Sequence, residues 1–581
     1  MVSMMKNFDK NILEKNLVQN VCNSNEFKGW LLSKRWFGEK SALSNLAFDI
    51  GITYFELIAD RILVNIIEVK TPDYSKTYFL PLIYYEKVED ILEPLEKTRE
   101  IILNLTENTF SKKIAVTVEN EQKIITLNLV EAEYCLFFWR KMLFDTTVSE
   151  SFPSMDMELT LYTDQFEEDV NMKKVQNLIE AGLYPDRYQL SINQLGKGNT
   201  TNMLFSLNIS NKRNPDQSSV SYVLKSYKDY SVSLEPSTLF VLVKNKFPNA
   251  PKIYGTIKLL DKETIGIIES VPNVGNLGEI YWNELNNMIT KVFKDLNKNY
   301  SIYNEKQNIS NLIKESCAET IKLSSEIGGF IKNLHKALIL SSQDEYSLES
   351  ADSNTYLRNY TERLNGIISE LLTHMTQQSE SAFFNLPKIS SILIDIKDII
   401  ERFRAEFQVP KIEIQPVHQD LHMEQILYNK ADSQYNFYFI DFEGDPQLAI
   451  EERKAKFPVE KDLASFLRAL SYIKFNTLLN FIEKKIIRKG RYEVPEEILY
   501  NLYFRRAAKP LNKTLDVVLN VLNIWETKLM GKILKNLNMD YILITYFYIE
   551  RALNELNYEI GHRPNKILVP ILGLKEIVDK N

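Results

Sequence analysis

The stretch Val417-His-Gln-Asp-Leu-His-Met-Glu-Gln-Ile-Leu427, followed by Phe437-Tyr-Phe-Ile-Asp-Phe-Glu-Gly444, gathers groups able to handle a proton and a divalent cation. Gln425 stands five residues after Asp420, and Asp441 sixteen after Gln425. Phosphoryl transfer asks for such a set. It needs an acidic group beside the attacking hydroxyl and oxygen donors for the Mg²⁺ that neutralises the phosphates. On that chemistry Asp420 is the base, and Gln425 and Asp441 are the metal ligands. A Gln amide oxygen coordinates Mg²⁺ as Asn does, with a longer reach. Asp441 comes at the end of an apolar strand that can hold it rigidly.

Upstream residues supply the nucleotide side. Gln194-Leu-Gly-Lys-Gly-Asn-Thr-Thr-Asn-Met-Leu-Phe205 sets a Gly-rich, hydroxyl-rich turn between two strands. Backbone N–H groups of Gly196, Lys197, Gly198, Asn199 and Thr200 could cradle phosphates. It is not a Walker A loop, since G-x-x-x-x-G-K-[ST] is absent. Lys225, in the strand Val220-Ser-Tyr-Val-Leu-Lys-Ser-Tyr227, is placed to hold α- and β-phosphate oxygens. Ile265-Gly-Ile-Ile-Glu-Ser-Val271 ends where a kinase hinge would bind adenine through its backbone, which selects Glu269 and Val271. Each piece alone has a plain reading: a turn, a solvated lysine, a polar strand end, a helix cap. Their order points to an enzyme using ATP and Mg²⁺.

Two other classes compete. His418 and His422 permit a His-x-Asp-x-His metallohydrolase. Zinc usually takes three or four protein ligands, and His335, His374 and His562 lie in helical patterns without paired ligands. Bracing the catalytic loop is the plainer role for His418 and His422. A non-catalytic binding protein is the third class, and Asp420 with Asp441 counts against it.

The elements that must position these groups read as a strand-rich front and a helical back. A helix is expected around 11–34 and extended stretches over 44–87. A hairpin is expected over 113–130, and strands near 189–195, 202–209, 220–227, 253–260 and 264–271. From about 276 apolar spacing of 3.6 residues dominates, interrupted by a strand pair near 425–428 and 437–442. The Asn/Lys-rich stretch 292–312 reads as an exposed insertion or loop. These patterns predict an α+β fold of two lobes. Three regions follow: 1–112 as an N-terminal β-rich cap, 113–275 as a nucleotide-binding subdomain, and 276–581 as a mainly helical C-terminal lobe.

Composition sets bounds. The 581 residues are 44% hydrophobic and 25% charged, as in ordinary globular proteins. A net charge of −7 argues against a general nucleic-acid binder. The three cysteines, Cys22, Cys135 and Cys317, form no CxxC pair, which disfavours a disulfide framework or cysteine zinc site. The apolar run 541–549 falls short of the roughly 20 residues that span a bilayer. A cytoplasmic protein without membrane or nucleic-acid partners is expected.

The motifs resemble those of maltokinases, relatives of aminoglycoside phosphotransferases with the eukaryotic-protein-kinase-like fold. His418-Gln-Asp-Leu-His-Met-Glu-Gln425 is similar to the family's catalytic loop, with Gln419 and Glu424 at positions usually Gly. Asp441-Phe-Glu-Gly-Asp-Pro446 resembles its metal strand. Glu451-Glu-Arg453 and the Asp462 to Arg468 helix echo further motifs, as do Lys34-Arg-Trp-Phe-Gly38 and Glu550 to Pro564. The resemblance runs from about residue 30 to 573, with extra sequence around 285–320 and 340–410. It implies ATP- and Mg²⁺-dependent phosphorylation of a sugar, maltose at C1 first, in glycogen- or trehalose-linked metabolism. Glucosamine, another sugar or an aminoglycoside-like acceptor is the alternative. It also implies substrate contacts from His418, Glu443, Glu555, Tyr558, Glu559 and Arg563. For the four on the C-terminal helix, i,i+4 surface charge pairs are the competing reading. The family's acidic partner for Lys225 is not cleanly matched; Glu235 is the candidate, next to a disturbing Pro236.

Overall fold

A computed structural model describes residues 15–38, 43, 47–72, 74–92, 96, 99–118, 121–144, 156–163, 166, 170–196, 201–213, 219–296, 303, 305–377, 386–431, 434–445, 448–487, 494–504, 513–563 and 566–581. The chain divides into two compact units. One comprises residues 1–244 and 251–271, the other 245–250 and 272–581.

The first unit holds two antiparallel sheets of six strands each. In the first sheet the order is Asp49–Ile58, Ile62–Thr71, Leu82–Tyr85, Glu121–Glu131, Phe110–Val118, with Tyr74–Phe79 paired onto Ile62–Thr71. The expected boundary at 112/113 falls inside the strand Phe110–Val118. That strand pairs along its whole length with Glu121–Glu131, from Phe110↔Leu129 to Val118↔Glu121. Glu121–Glu131 also pairs with Leu82–Tyr85, from Leu82↔Glu131 to Tyr85↔Asn128, so this hairpin completes the first sheet. The helix expected over 11–34 is two, Lys15–Cys22 and Asn25–Ser33. Ser24 breaks them by accepting from Phe27 N through its side chain.

The second sheet runs Met157–Leu161, Ile253–Leu259, Lys262–Glu269, Val220–Ser226, Met203–Asn211, Tyr188–Leu195. Alternation explains its packing: Met203, Phe205, Leu207 and Ile209 turn inward while their neighbours stay half-exposed. Three strands in sequence, a helix (Glu235–Lys244), then two more strands is the order in which kinases carry the nucleotide lysine and its acidic partner.

The second unit is mainly helical. At its centre lies Glu460–Phe481, buried on nearly all sides, with Tyr541–His562, Lys513–Ile533 and Leu568–Lys580 packed against it. A hairpin of Ile426–Ala431 and Gln434–Phe439 interrupts the helices. The stretch 292–312, expected as an exposed insertion or loop, is helical over its described ends. Leu277–Leu296 and Lys306–Ser316 bury Val292, Ile309 and Ile313. The extra sequence near 340–410 is a helical pair, Ser353–Gln377 and Leu386–Glu406. Strands Glu349–Asp352 and Lys411–Ile414 pair at its base and return the chain to one place. The whole is α+β, as the strand-rich front and helical back predict.

Candidate active site

The loop 416–425 is bent by backbone that most residues avoid. Gln419 has φ +68°. Such a conformation costs of order 1–3 kcal/mol and persists only when surrounding groups over-determine it. Asp462, fully buried on the central helix, does so. Its Oδ1 accepts from Gln419 N at 2.7 Å, and its Oδ2 accepts from His418 N at 2.8 Å. His335 Nε2 donates to the same Oδ2 at 2.9 Å. Burial works against the charged Asp462 carboxylate. The His335 hydrogen bond and charge, with His418, outweigh it and hold the carboxyl below its usual range.

His418 is also a brace. Its Nε2 donates to the Ile440 carbonyl at 2.9 Å, and its ring packs 4.9 Å from that of Phe442. It is 2% exposed. The expectation of a substrate contact from His418 is therefore corrected: the loop with Ile440 and Phe442 encloses the ring. His418 Nε2 is committed to a carbonyl, and His422 Nδ1 accepts from Glu424 N. Neither histidine joins a cluster of three metal-ligating side chains among the described residues.

With its backbone held, the loop presents Asp420. Arg551 Nη1 donates to Asp420 Oδ1 at 2.6 Å, and His422 Nε2 lies 3.8 Å from Oδ2. Arg551 is in turn 3.7 Å from Glu555 Oε1, and Glu555 Oε2 takes Arg468 Nη2 at 2.8 Å and Nε at 3.0 Å. Arg468 is fully buried beside Gly573, where a Cβ would stand 2.6 Å from Nη1. Alternating charges thus run Asp420, Arg551, Glu555, Arg468. Glu555 is the middle of this chain, so its carboxylate is occupied by arginines. Burial opposes the Arg551 charge, but Asp420, Asp445 and Glu555 raise its pKa above the ordinary arginine value.

One turn beyond, Glu559 is 2% exposed. Arg563 Nη2 donates to its Oε1 at 2.8 Å, while buried Oε2 has no hydrogen-bond partner among the described residues. Burial pushes this carboxyl up, against the charges of Arg563 and Lys566. Tyr558 lies under the Arg563 guanidinium at 5.1 Å.

Asp441 follows the strand Gln434–Phe439 by two residues, also with φ +67°. Gln425 Nε2 donates to Asp441 Oδ2 at 2.8 Å. Glu443 brings a carboxylate oxygen within 4.8 Å of one from Asp441. Two carboxylates and an amide oxygen are the hard donors that Mg²⁺ prefers, so this set fits the metal. Turning the Gln425 amide would present its oxygen. Gly444, at φ +77°, lets the chain turn away beneath Arg453 and Gln419.

In the other unit Lys225 lies near the end of its strand, paired with Leu204 on one side and Gly266 on the other. Its Nζ meets Glu235 Oε2 at 2.8 Å, and both side chains are buried. Tyr227 OH donates to the same Oε2 at 3.0 Å. Glu235 opens its helix despite Pro236, because proline is tolerated in the first turn. Glu269 ends its strand with its side chain held by Lys174 at 2.7 Å and by Lys252 N at 3.2 Å. Its backbone N–H donates to the Lys252 carbonyl at 2.8 Å, and Val271 two residues on is buried. Gly196 has φ +73°. The expected phosphate contacts from Lys197, Gly198, Asn199 and Thr200 lie outside the described residues.

No family model matches the chain. A glucosamine kinase solved with glucosamine, ADP and inorganic phosphate overlays with TM-score 0.45 at 12% identity, covering 94% of this chain and 98% of that one. A crystal form of glucosamine kinase gives 0.45 at 12%, over 91% and 92%. A Plasmodium vivax ethanolamine kinase gives 0.28 at 13%, over 72% and 91%. No helix among the described residues is long and apolar enough to cross a membrane.

Sequence reasoning gave no role to Asp462, Arg468 or Arg551. A signal was present. Asp462 and Arg468 are charges inside an otherwise apolar helical pattern, where a buried charge demands a partner. Arg551 carried none, since only folding sets it against Asp420.

Proposed function

We propose that this protein is an ATP- and Mg²⁺-dependent phosphotransferase whose acceptor is a sugar hydroxyl. The observation that carries the reading is the loop itself. Asp462 uses two backbone hydrogen bonds to hold a strained turn that delivers Asp420, with Gln425 joined to Asp441 behind it. Asp420 would orient the hydroxyl and take its proton, while Arg551 limits its rotation. Gln425, Asp441 and Glu443 would hold Mg²⁺, which when bound neutralises charge on the phosphates. Lys225, held by Glu235, would fix the α- and β-phosphates.

Arg551, Glu555 and Glu559 recur every four residues and so line one side of their helix, about 6 Å apart. Paired carboxylates and arginines suit sugar hydroxyls. Maltose phosphorylated at C1 is the acceptor favoured by the motif resemblance. An amino sugar such as glucosamine is the second reading, favoured by the buried Oε2 of Glu559, which would accept from an ammonium. Purified protein with ATP, Mg²⁺ and a panel of sugars, read by ³¹P NMR, tests both. A sugar phosphate formed only with Mg²⁺ supports the reading. Absence of transfer to maltose, glucosamine and the rest of the panel overturns the sugar-acceptor reading.

A further inference from the structure

The central helix Glu460–Phe481 carries Arg468, Ser471 and Lys474 at three-residue spacing, all fully buried. Against them the helix Tyr541–His562 sets Tyr548, Arg551 and Glu555 at spacings of three and four. Such spacings put each set on one helix face. Polar groups on a buried face must find partners there. Lys474 Nζ lies 2.5 Å from Glu526 Oε2 on the helix Lys513–Ile533. It also lies 2.7 Å from both carboxylate oxygens of Glu576 on the helix Leu568–Lys580. Burial works against the Lys474 charge, and Glu526 and Glu576 outweigh it and raise its pKa.

The carboxylate of Glu526 sets the direction of the bonds that follow, because it can only accept. Its Oε1 accepts from Ser471 Oγ. A serine has one proton to give, so the 2.5 Å bond between Ser471 Oγ and the Tyr548 hydroxyl takes its proton from Tyr548. The Tyr548 oxygen is then left as an acceptor. Its neighbour is Arg468, a group that only donates, with its guanidinium 5.7 Å from the Tyr548 ring centroid. Burial opposes the Arg468 charge, and Glu555 followed by Tyr548 outweighs it. Arg468 donates onward to Glu555, Glu555 meets Arg551, and Arg551 meets Asp420. One run of fixed polarity therefore joins Glu526 to Asp420.

We infer that Tyr548, Ser471 and Glu526 are positioning residues that hold Arg468 and, through Glu555, hold Arg551 against Asp420. The inference rests on the reading of Asp420 as the group beside the acceptor hydroxyl. A loosened Arg551 would let the Asp420 carboxylate turn, and orientation is what a phosphoryl-transfer site must supply. A purely structural role would instead loosen neighbouring ion pairs alike. Arg363 gives the comparison. It pairs with Glu550 at 3.5 Å and Glu452 at 3.7 Å, off this run. Its side chain is 25% exposed, against 20% for Arg551.

The test labels the full-length protein with phenylglyoxal, an arginine reagent, and follows Arg551 and Arg363 by peptide mass spectrometry. The variants are Tyr548→Phe, which keeps the ring and removes the hydroxyl, and Ser471→Ala, which cuts the run one bond earlier. Arg551 should label about three- to tenfold faster in each, the worth of one hydrogen bond, while Arg363 keeps its rate. With an accepted sugar, kcat should fall by a similar factor while KM for ATP stays unchanged. In an Arg551→Ala background, Tyr548→Phe should lower kcat no further, because residues that act through one another are not additive. If Ser471→Ala fails to fold, since it strands a buried Glu526 oxygen, Tyr548→Phe decides alone. Unchanged Arg551 labelling in folded variants, equal acceleration at Arg363, or additive losses of kcat would overturn the inference. Full turnover by Asp420→Asn would overturn the role of Asp420 itself, and the labelling, which needs no acceptor, still decides the restraint.

Discussion

Replacing Asp462 by Asn tests how the loop that carries Asp420 is held. The side chain keeps its shape and loses its charge and one acceptor. In the structure Oδ1 serves Gln419 N, and Oδ2 serves both His418 N and His335 Nε2. An amide has one oxygen, so whichever way it turns, at least one backbone N–H faces an NH₂ group. Hydrogen bonds to charged groups contribute about 1.5–3 kcal/mol, and a buried orphan donor costs about 1–3 kcal/mol. The loop should therefore open more easily by about 2–4 kcal/mol. At 1.4 kcal/mol per tenfold, amide-exchange protection across the loop should fall roughly 30- to 700-fold. Hydrogen exchange read by mass spectrometry is the suitable assay, because a chain of two units need not unfold in one step. Turnover should fall with protection, since Asp420 rides on the loop. Asp462 has a lowered folded pKa, so its contribution is present above the unfolded carboxyl pKa. It is lost as pH falls through the lower folded value. Unchanged loop protection in a folded Asp462→Asn variant, measured beside the unaltered protein at neutral pH, would refute the anchoring role.

Other outcomes follow from the same geometry. Asp441→Asn should abolish Mg²⁺-dependent transfer in a folded protein, and near-normal turnover at limiting Mg²⁺ would remove Asp441 from the metal site. Asp420→Asn should lower kcat by about 10²–10⁴-fold with little change in ATP-analogue affinity, as general-base loss does; steady-state kinetics beside calorimetry separates the two. Gly573→Ala should displace the Arg468 guanidinium, since a Cβ there stands 2.6 Å from Nη1. A destabilisation of about 1–3 kcal/mol in urea is expected from such overpacking, with weakened restraint of Arg551. Glu559 has a raised carboxyl pKa, because burial disfavours its charge, so it ionises at higher pH than it would in water. If an amino sugar is the acceptor, its KM should fall as pH rises through that raised value; a flat profile in the unaltered protein, matching that of a Glu559→Gln control, would speak against the contact.

Linear order pointed to much of the candidate site. Asp420, Gln425 and Asp441 are close along the chain because a short hairpin returns it, so spacing alone announced a set of oxygen donors. Alternating and 3.6-residue patterns likewise announced the α+β division, since each records which face is buried over a few neighbouring residues. Register between distant strands has no such local record. The hairpin of residues 110–131 looks alike whether it joins the first sheet or the second, and only its pairing with Leu82–Tyr85 assigns it. Glu235 lies ten residues from Lys225, and its neighbour Pro236 obscured the helix that aims it. Glu133 meets Lys228 across 95 positions of sequence, and Asp420 meets Arg551 across 131. These carboxylates and cations are paired because burial leaves a lone charge too costly. Which charge meets which is settled by packing, and packing exists only once the elements have come together.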